Sequence, residues 1–262
     1  MTIEPDLDVV RHYEEDAEHL RLTSTGPGRL ELARTQRLLL RHLPPAPARV
    51  LDVGGAAGIY SAWLRSLGHD AEVIDLTPLH VQRCAAAGIP AEVGDARHLQ
   101  RDDESYDVVL VMGPLYHLPS VADRALVWSE AFRVLRPGGL VAAATIGRFA
   151  GLLDGLSRRW EPLQRYLPMV LEELRTGEHR NPEGEDLFTT AYFHRVEELE
   201  PEARAAGFVE VAVTAIEGPA WFMPTVHTHD IERFAELLDH LETEPTLLGA
   251  SSHLLTTARK PS

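Results

Sequence analysis

The chain has 262 residues, an ordinary apolar share of 44% and a formal net charge of −15. That length holds one α/β domain with an insertion or cap, and an acidic chain without a basic block makes nucleic acid an unfavoured partner. One cysteine, Cys84, excludes a disulfide framework within the chain, and no apolar run reaches the length of a membrane span.

Residues 5–43 read as helices, with Val9, Tyr13, Ala17 and Leu20 on one face. The first residues, Met1-Thr-Ile-Glu-Pro-Asp-Leu-Asp8, lack a basic region followed by an apolar core. A secretory leader is therefore not expected, and a cytoplasmic location is. Turn residues Thr23 to Gly28 break the pattern, and Leu30, Ala33, Leu38 and Leu39 open a second helix that ends at Pro44-Pro-Ala-Pro47.

From Arg49 the rhythm changes. Val50, Leu51 and Val53 form a buried-type strand, Gly54, Gly55 and Gly58 turn it, and Ile59, Trp63, Leu64 and Leu67 follow at helical spacing. Strand patterns recur at 71–75, 91–95, 106–112 and 140–146, with helices at about 78–87 and 121–135 and a tight turn at Arg136-Pro-Gly-Gly139. Repeated βα units imply a mainly parallel sheet with right-handed crossovers. Residues 148–194 interrupt the alternation. Their leucines recur at three and four, Pro162 and Pro168 break or kink the helix, and the polar stretch 176–186 reads as a mobile loop. A helix at about 196–206, a strand at 209–216, a helix at about 229–241 and a strand at 253–259 complete the chain.

The expected fold is therefore α/β, Rossmann-like and doubly wound, with a mainly parallel seven-stranded sheet, N-terminal helices and a helical cap insertion. Its expected parts are an N-terminal helical segment (1–48), a core (49–147), a cap or substrate lid (148–194) and the rest of the core sheet (195–262).

The glycine turn selects among nucleotide ligands. The dinucleotide pattern G-x-G-x-x-G needs a third glycine where Ile59 stands, and a phosphate loop needs a lysine where none occurs, since the single lysine is Lys260. What remains, Asp52-x-Gly54-x-Ala56-x-Gly58, resembles motif I of the class I S-adenosylmethionine (SAM)-dependent methyltransferases, with Ala56 where a middle glycine is usual. Asp75, 21 positions after Gly54, ends the second strand, where a carboxylate can accept ribose hydroxyls, and Leu76 beside it suits an adenine face. The resemblance further implies that Asp95 and the backbone of Ala96 read the adenine. It implies too that Met112-Gly-Pro-Leu-Tyr-His117, including Leu115, lines the methionine part. Leu135-Arg-Pro-Gly-Gly-Leu140 is a frequent turn of the same family. The resemblance covers 49–146, and the N-terminal helices and cap only loosely.

Gly55 completes the expected cofactor turn. Tyr13, Glu31 and Arg34 are candidate lid or cofactor contacts, with a solvated helix face as the alternative for the two charged residues. The catalytic candidates are His117, with Tyr116 beside it, and His194, because a neutral imidazole suits proton removal near pH 7. Phe149, Tyr192, Phe193, His194 and Trp221 are candidates for an acceptor wall or for core. His227 and His229 invite a metal reading, but alternate spacing without a further cluster does not carry one, so no metal is expected.

The function implied is SAM-dependent methylation of a small-molecule acceptor at oxygen, nitrogen or carbon. The alternatives are an NAD-type oxidoreductase, an inert SAM-binding partner or regulator, and different chemistry on the same cofactor. The expected partner is a small acceptor, with no membrane and with a homodimer as a compatible assembly.

Overall fold

The computed structural model describes residues 7–15, 20–182, 187–223 and 230–262. The central strands are β1 (Arg49–Val53) and β4 (Tyr106–Val111), which pair in parallel, Val50 with Val108 through Val53 with Val111. Side chains alternate across the sheet. Leu51, Val53, Val109 and Val111 pack on one face with Trp128 and Phe208, while Val50, Val108 and Leu110 pack on the other with Leu38, Leu39 and Leu64. Burial on both faces explains why these strands read as continuous apolar runs.

On one side of β1 lie β2 (Asp70–Asp75) and then β3 (Ala91–Val93), and on the other side β4 leads to β5 (Leu135–Gly147). The next strand in space is β9 (His253–Arg259), antiparallel to β5, and β8 (Val209–Ala215) closes the sheet, antiparallel to β9. All seven expected strands are present. Strand order reverses between β1 and β4, which opens a crevice beyond their carboxyl ends.

Between the strands run α4 (Ile59–Ser66), α5 (Pro78–Ala86), α6 (Val121–Val134) and, before β8, α9 (Val196–Ala205). Three features differ from the sequence-based expectation. The turn at 136–139 lies inside β5 as a bulge. Two steps along β4, Tyr106 to Val108, match five along β5, Leu135 to Leu140. At the N-terminus, α1 (Leu7–Glu15) and α2 (Arg21–Ser24) precede α3 (Gly26–Leu40), and only Thr25 breaks the helix. Its hydroxyl accepts the Gly28 N–H at 3.0 Å, and Pro27 fits the first turn, where no N–H is needed.

The third difference is the cap. Its helices are α7 (Ala150–Arg158) and α8 (Trp160–Thr176), with Pro162 in the first turn of α8 and Pro168 inside it. Two short strands then add to the sheet, β6 (Glu178–His179) and β7 (Ala191–His194). β7 pairs with Ile146 and Gly147 of β5, and β9 already takes the other edge there. β7 therefore sits beyond the carboxyl end of β4, beside the crevice. A last helix, α10 (Ile231–Leu238), packs on α3. His227 and His229 lie outside the described residues.

Candidate active site

The glycine turn after β1 is held by backbone geometry and by one carboxylate. Gly54 and Gly58 adopt φ of +68° and +78°, and Ala56, at +47°, shares the left-handed region that L-residues rarely enter. The strained Ala56 is secured by its own N–H, which donates to Asp75 Oδ2 at 2.8 Å. Asp75 Oδ1 accepts from Thr77 N–H at 2.9 Å and lies 3.0 Å from His80 Nδ1. Three of the roughly four acceptor positions of Asp75 are thus engaged by protein groups. Below the turn, the fully buried Asp52 accepts from Ser61 Oγ at 2.8 Å, and a Cβ on Gly55 would fall 2.7 Å from its Cγ. Burial pushes the Asp52 carboxyl up to about 7, against the Ser61 hydrogen bond.

Above the turn lies a cavity of about 420 Å³, within the range of small-molecule sites. One half is walled by the turn itself, by Asp75 to Thr77, by Gly94 to Arg97 and by Met112. The other half is walled by Arg21, Glu31, Tyr116, His117, Ile216 and His253, among others. Tyr13 of α1 joins these walls, with its ring edge-on to both His80 and His117, at 5.6 and 5.3 Å between centroids. Tyr13 Oη meets His117 Nε2 at 2.8 Å, while His117 Nδ1 faces the Thr190 carbonyl at 3.4 Å. A carbonyl can only accept, so Nδ1 carries the proton and Nε2 accepts from the tyrosine.

The second half holds a cluster of charges. Arg21 bonds both oxygens of Glu31, and burial, which alone would raise the Glu31 carboxyl, is outweighed by Arg21 and His253, so it stays below its usual range. His253 Nδ1 lies 2.6 Å from Glu217 Oε1 and 3.6 Å from Glu31 Oε2. Glu31, Glu217 and His253 bring three ligand-type atoms within 4.8 Å of one another, but the Arg21 guanidinium already holds both Glu31 oxygens.

Residues 51–143 match the family model described as a methyltransferase domain. Residues 51–143 form a class I SAM-dependent methyltransferase domain. The chain is 36% identical over 134 residues to a malonyl-[acyl-carrier protein] O-methyltransferase of Methylococcus capsulatus, covering 48% of this chain and 47% of that protein. It is 29% identical over 145 residues to a ubiquinone biosynthesis O-methyltransferase of Xanthomonas oryzae pv. oryzae, covering 53% and 57%. The chain thus spans about half the length of these curated relatives. A solved SAM-dependent methyltransferase from Thermotoga maritima aligns over 97% of this chain and 99% of its own with a TM-score of 0.61 at 17% identity, a likeness of fold.

The cofactor of such a methyltransferase domain is S-adenosylmethionine, and the residues present fit it. The glycine turn, Leu76, Ala96 and Met112 all line the cavity, together with Asp75 and Asp95. Asp95 is bonded by the Arg97 backbone N–H at 2.8 Å and by its guanidinium at 2.7 Å, so an adenine amino group would share that carboxylate.

Several expected contacts lie elsewhere in the methyltransferase domain or beside it. Asp52 sits under the turn, and Leu115 is fully buried in the core. Gly58 faces away from the cavity, where a Cβ would meet Ile89 and Cys84 at 2.9 and 3.1 Å. Arg34 is fully buried and ties α3 to the C-terminal part, bonding the Ile216 and Ala235 carbonyls, Asp239 and Glu242. His194 is fully buried against Glu202, at 3.7 Å, and burial lowers its pKa. No described residue of 148–194 lines the cavity. Tyr192 lies under Arg124, with its ring 3.9 Å from the guanidinium carbon, and Phe193 stacks on His179. Trp221 donates to the Ala250 carbonyl at 2.9 Å, and Phe149 packs beside Gly249 on the outside.

Tyr13, Tyr116 and His117 do reach the cavity, and Glu31 does so as half of an ion pair. Sequence reading missed Arg21, His80, Glu217 and His253. In a parallel sheet the ligand-facing residues follow the carboxyl ends of the strands, but β9 runs the other way. Its first residue, His253, opposes Ile146 at the carboxyl end of β5 and so reaches the same edge. No helix among the described residues is long and apolar enough to cross a membrane.

Proposed function

We propose that the chain transfers the methyl group of SAM to a small-molecule acceptor, an activity of class EC 2.1.1. The observation that carries this reading is the cavity itself. The glycine turn, Asp75, Leu76 and Asp95 line it together with further polar groups, among them Glu31, His117 and His253. SAM supplies a methyl carbon already activated by a sulfonium. The protein's work is then to align the acceptor, exclude water and place a base where the acceptor carries a proton. Tyr13, latched to His117, closes the roof. Two of the relatives are named O-methyltransferases, which favours oxygen over nitrogen or carbon. A reducing compartment such as the cytoplasm suits the chain, whose one cysteine is buried and free.

Calorimetry with SAM, S-adenosylhomocysteine and NAD tests the cofactor. Micromolar SAM binding with no NAD binding is expected, and the reverse would make the chain an oxidoreductase. Transfer of labelled methyl to a panel of small acceptors then tests turnover. A protein that binds SAM and methylates none of them would be the SAM-binding regulator instead.

A further inference from the structure

We propose that His253, held by Glu217, is the general base of the acceptor half of the cavity, and that the acceptor offers it a phenolic or enolic hydroxyl. The proposal rests on the methyltransferase reading above.

The arrangement follows from topology. β9 runs antiparallel to β5, so its amino end meets the carboxyl end of β5, where His253 pairs with Ile146. β8 ends at the same edge, and Glu217 follows it two residues later. Glu217 is 1% exposed and locked on both oxygens. Oε1 faces His253 Nδ1 at 2.6 Å, while Oε2 accepts the His253 backbone N–H at 3.0 Å and lies 3.1 Å from Ser251 Oγ. Ser251 Oγ in turn accepts the N–H groups of Glu217 and Gly218 at 3.2 and 3.0 Å. The carboxylate can only accept, so Nδ1 carries a proton and the neutral ring keeps its lone pair on Nε2. His253 lines the cavity, and no hydrogen bond from a described residue reaches Nε2.

The other histidines are placed differently. His117 Nε2 is occupied by Tyr13, His80 is bonded to Asp75 in the cofactor half, and His194 lies outside the cavity. The charged and titratable groups facing His253 are Glu217 from the end of β8, Glu31 from α3 and Arg21 from α2, with Tyr60 of α4 next to Glu31. Burial alone would lower the imidazole pKa, but the two carboxylates outweigh it and Arg21, and the net shift is upward. A charged imidazolium is therefore supported once a proton arrives.

In the step itself, the acceptor oxygen gives its proton to Nε2 and forms a bond to the methyl carbon. The methyl–sulfur bond breaks, with its electron pair going to sulfur. Products are a methyl ether, the neutral thioether and a proton that His253 passes to water. A phenol, with a pKa of about 10, is close enough for imidazole to matter. A carboxylate is already nucleophilic and would leave this dyad without a role.

The test uses the full chain loaded with S-adenosylhomocysteine. Nitrogen-15 histidine NMR should find His253 with its proton on Nδ1, titrating at Nε2 above the usual imidazole value. Glu217→Gln should lower that midpoint and admit the other tautomer. Phenol should shift the Nε2 resonance, and anisole, which lacks the hydroxyl proton, should not. An Nε2-protonated neutral ring, or equal responses to the two probes, overturns the proposal. With SAM and a panel of phenols, His253→Gln should lower kcat by about 100-fold or more and remove the rise of rate with pH. SAM affinity should stay within about twofold. Wild-type protein that binds SAM but methylates no phenol overturns the acceptor class. Wild-type protein that does not bind SAM fails the methyltransferase reading instead.

Discussion

Tyr13 Oη lies 2.8 Å from His117 Nε2, joining two cavity-lining residues 104 positions apart. Tyr13 belongs to the first helix and His117 to the turn after β4. The bond therefore fastens the N-terminal segment to the turn after β4 at the wall of the cavity.

That fastening carries the first prediction. Tyr13→Phe keeps the ring and its edge-on contacts but removes the hydroxyl. A hydrogen bond of this kind contributes about 0.5–1.5 kcal/mol. SAM affinity should fall about two- to tenfold with the melting temperature little changed. Unchanged affinity by calorimetry would mean that α1 does not close over the cofactor.

Asp75 has a structural duty beside its proposed contact with ribose, and the two are separable by experiment. It already binds Ala56 N–H, Thr77 N–H and His80, so its loss loosens the turn as well as the ribose contact. Asp75→Ala should lose SAM affinity by about 1.5–3 kcal/mol, the range for hydrogen bonds to a charged group. Amide exchange at Ala56 should quicken in the free protein too. Lost affinity without faster exchange would confine Asp75 to ligand contact alone.

Asp52 predicts a pH dependence of stability. Its folded carboxyl titrates at about 7, raised by burial, while an unfolded aspartate titrates at about 3.9. Between those values the folded state binds more protons. The stabilisation is thus fully present below about pH 4 and lost as pH rises through 7. Asp52→Asn stays neutral and can still accept from Ser61. The melting temperature of the variant relative to wild type should climb from pH 4 to 7 and then level off. A constant difference across that range would show that Asp52 does not titrate there.

Arg34 separates stability from binding. Its side chain is fully buried and holds two carbonyls and two carboxylates of the C-terminal part. Arg34→Met should cost about 3 kcal/mol in urea unfolding, because the carbonyls lose their donor and the pairs are broken. SAM affinity of the folded variant should remain within about twofold. A large loss of affinity at full stability would return Arg34 to the cofactor site.

The sequence by itself determined the seven main strands and a set of residues that line the cavity, from the glycine turn to Asp75 and Asp95. Those features are local. Val50, Leu51 and Val53 carry the strand signal, Gly54 and Gly58 supply the turn, Asp75 closes its strand and Asp95 follows the third strand by two residues. Which charged residues reach the cavity was decided only by the tertiary structure. Arg34 and Glu31 stand three positions apart on one helix, yet Arg34 is sealed against Asp239 and Glu242 while Glu31 faces His253. The aromatic residues of β7 found partners outside the cavity lining: Tyr192 lies under Arg124 of α6, and Phe193 stacks on His179 of β6. His253 gave no signal, since its place depends on the direction of one strand. A strand's pattern reports which face is buried but not which way the strand runs. In this fold, reversing β9 is what brings its first residue to the carboxyl edge of β5 and next to Glu217.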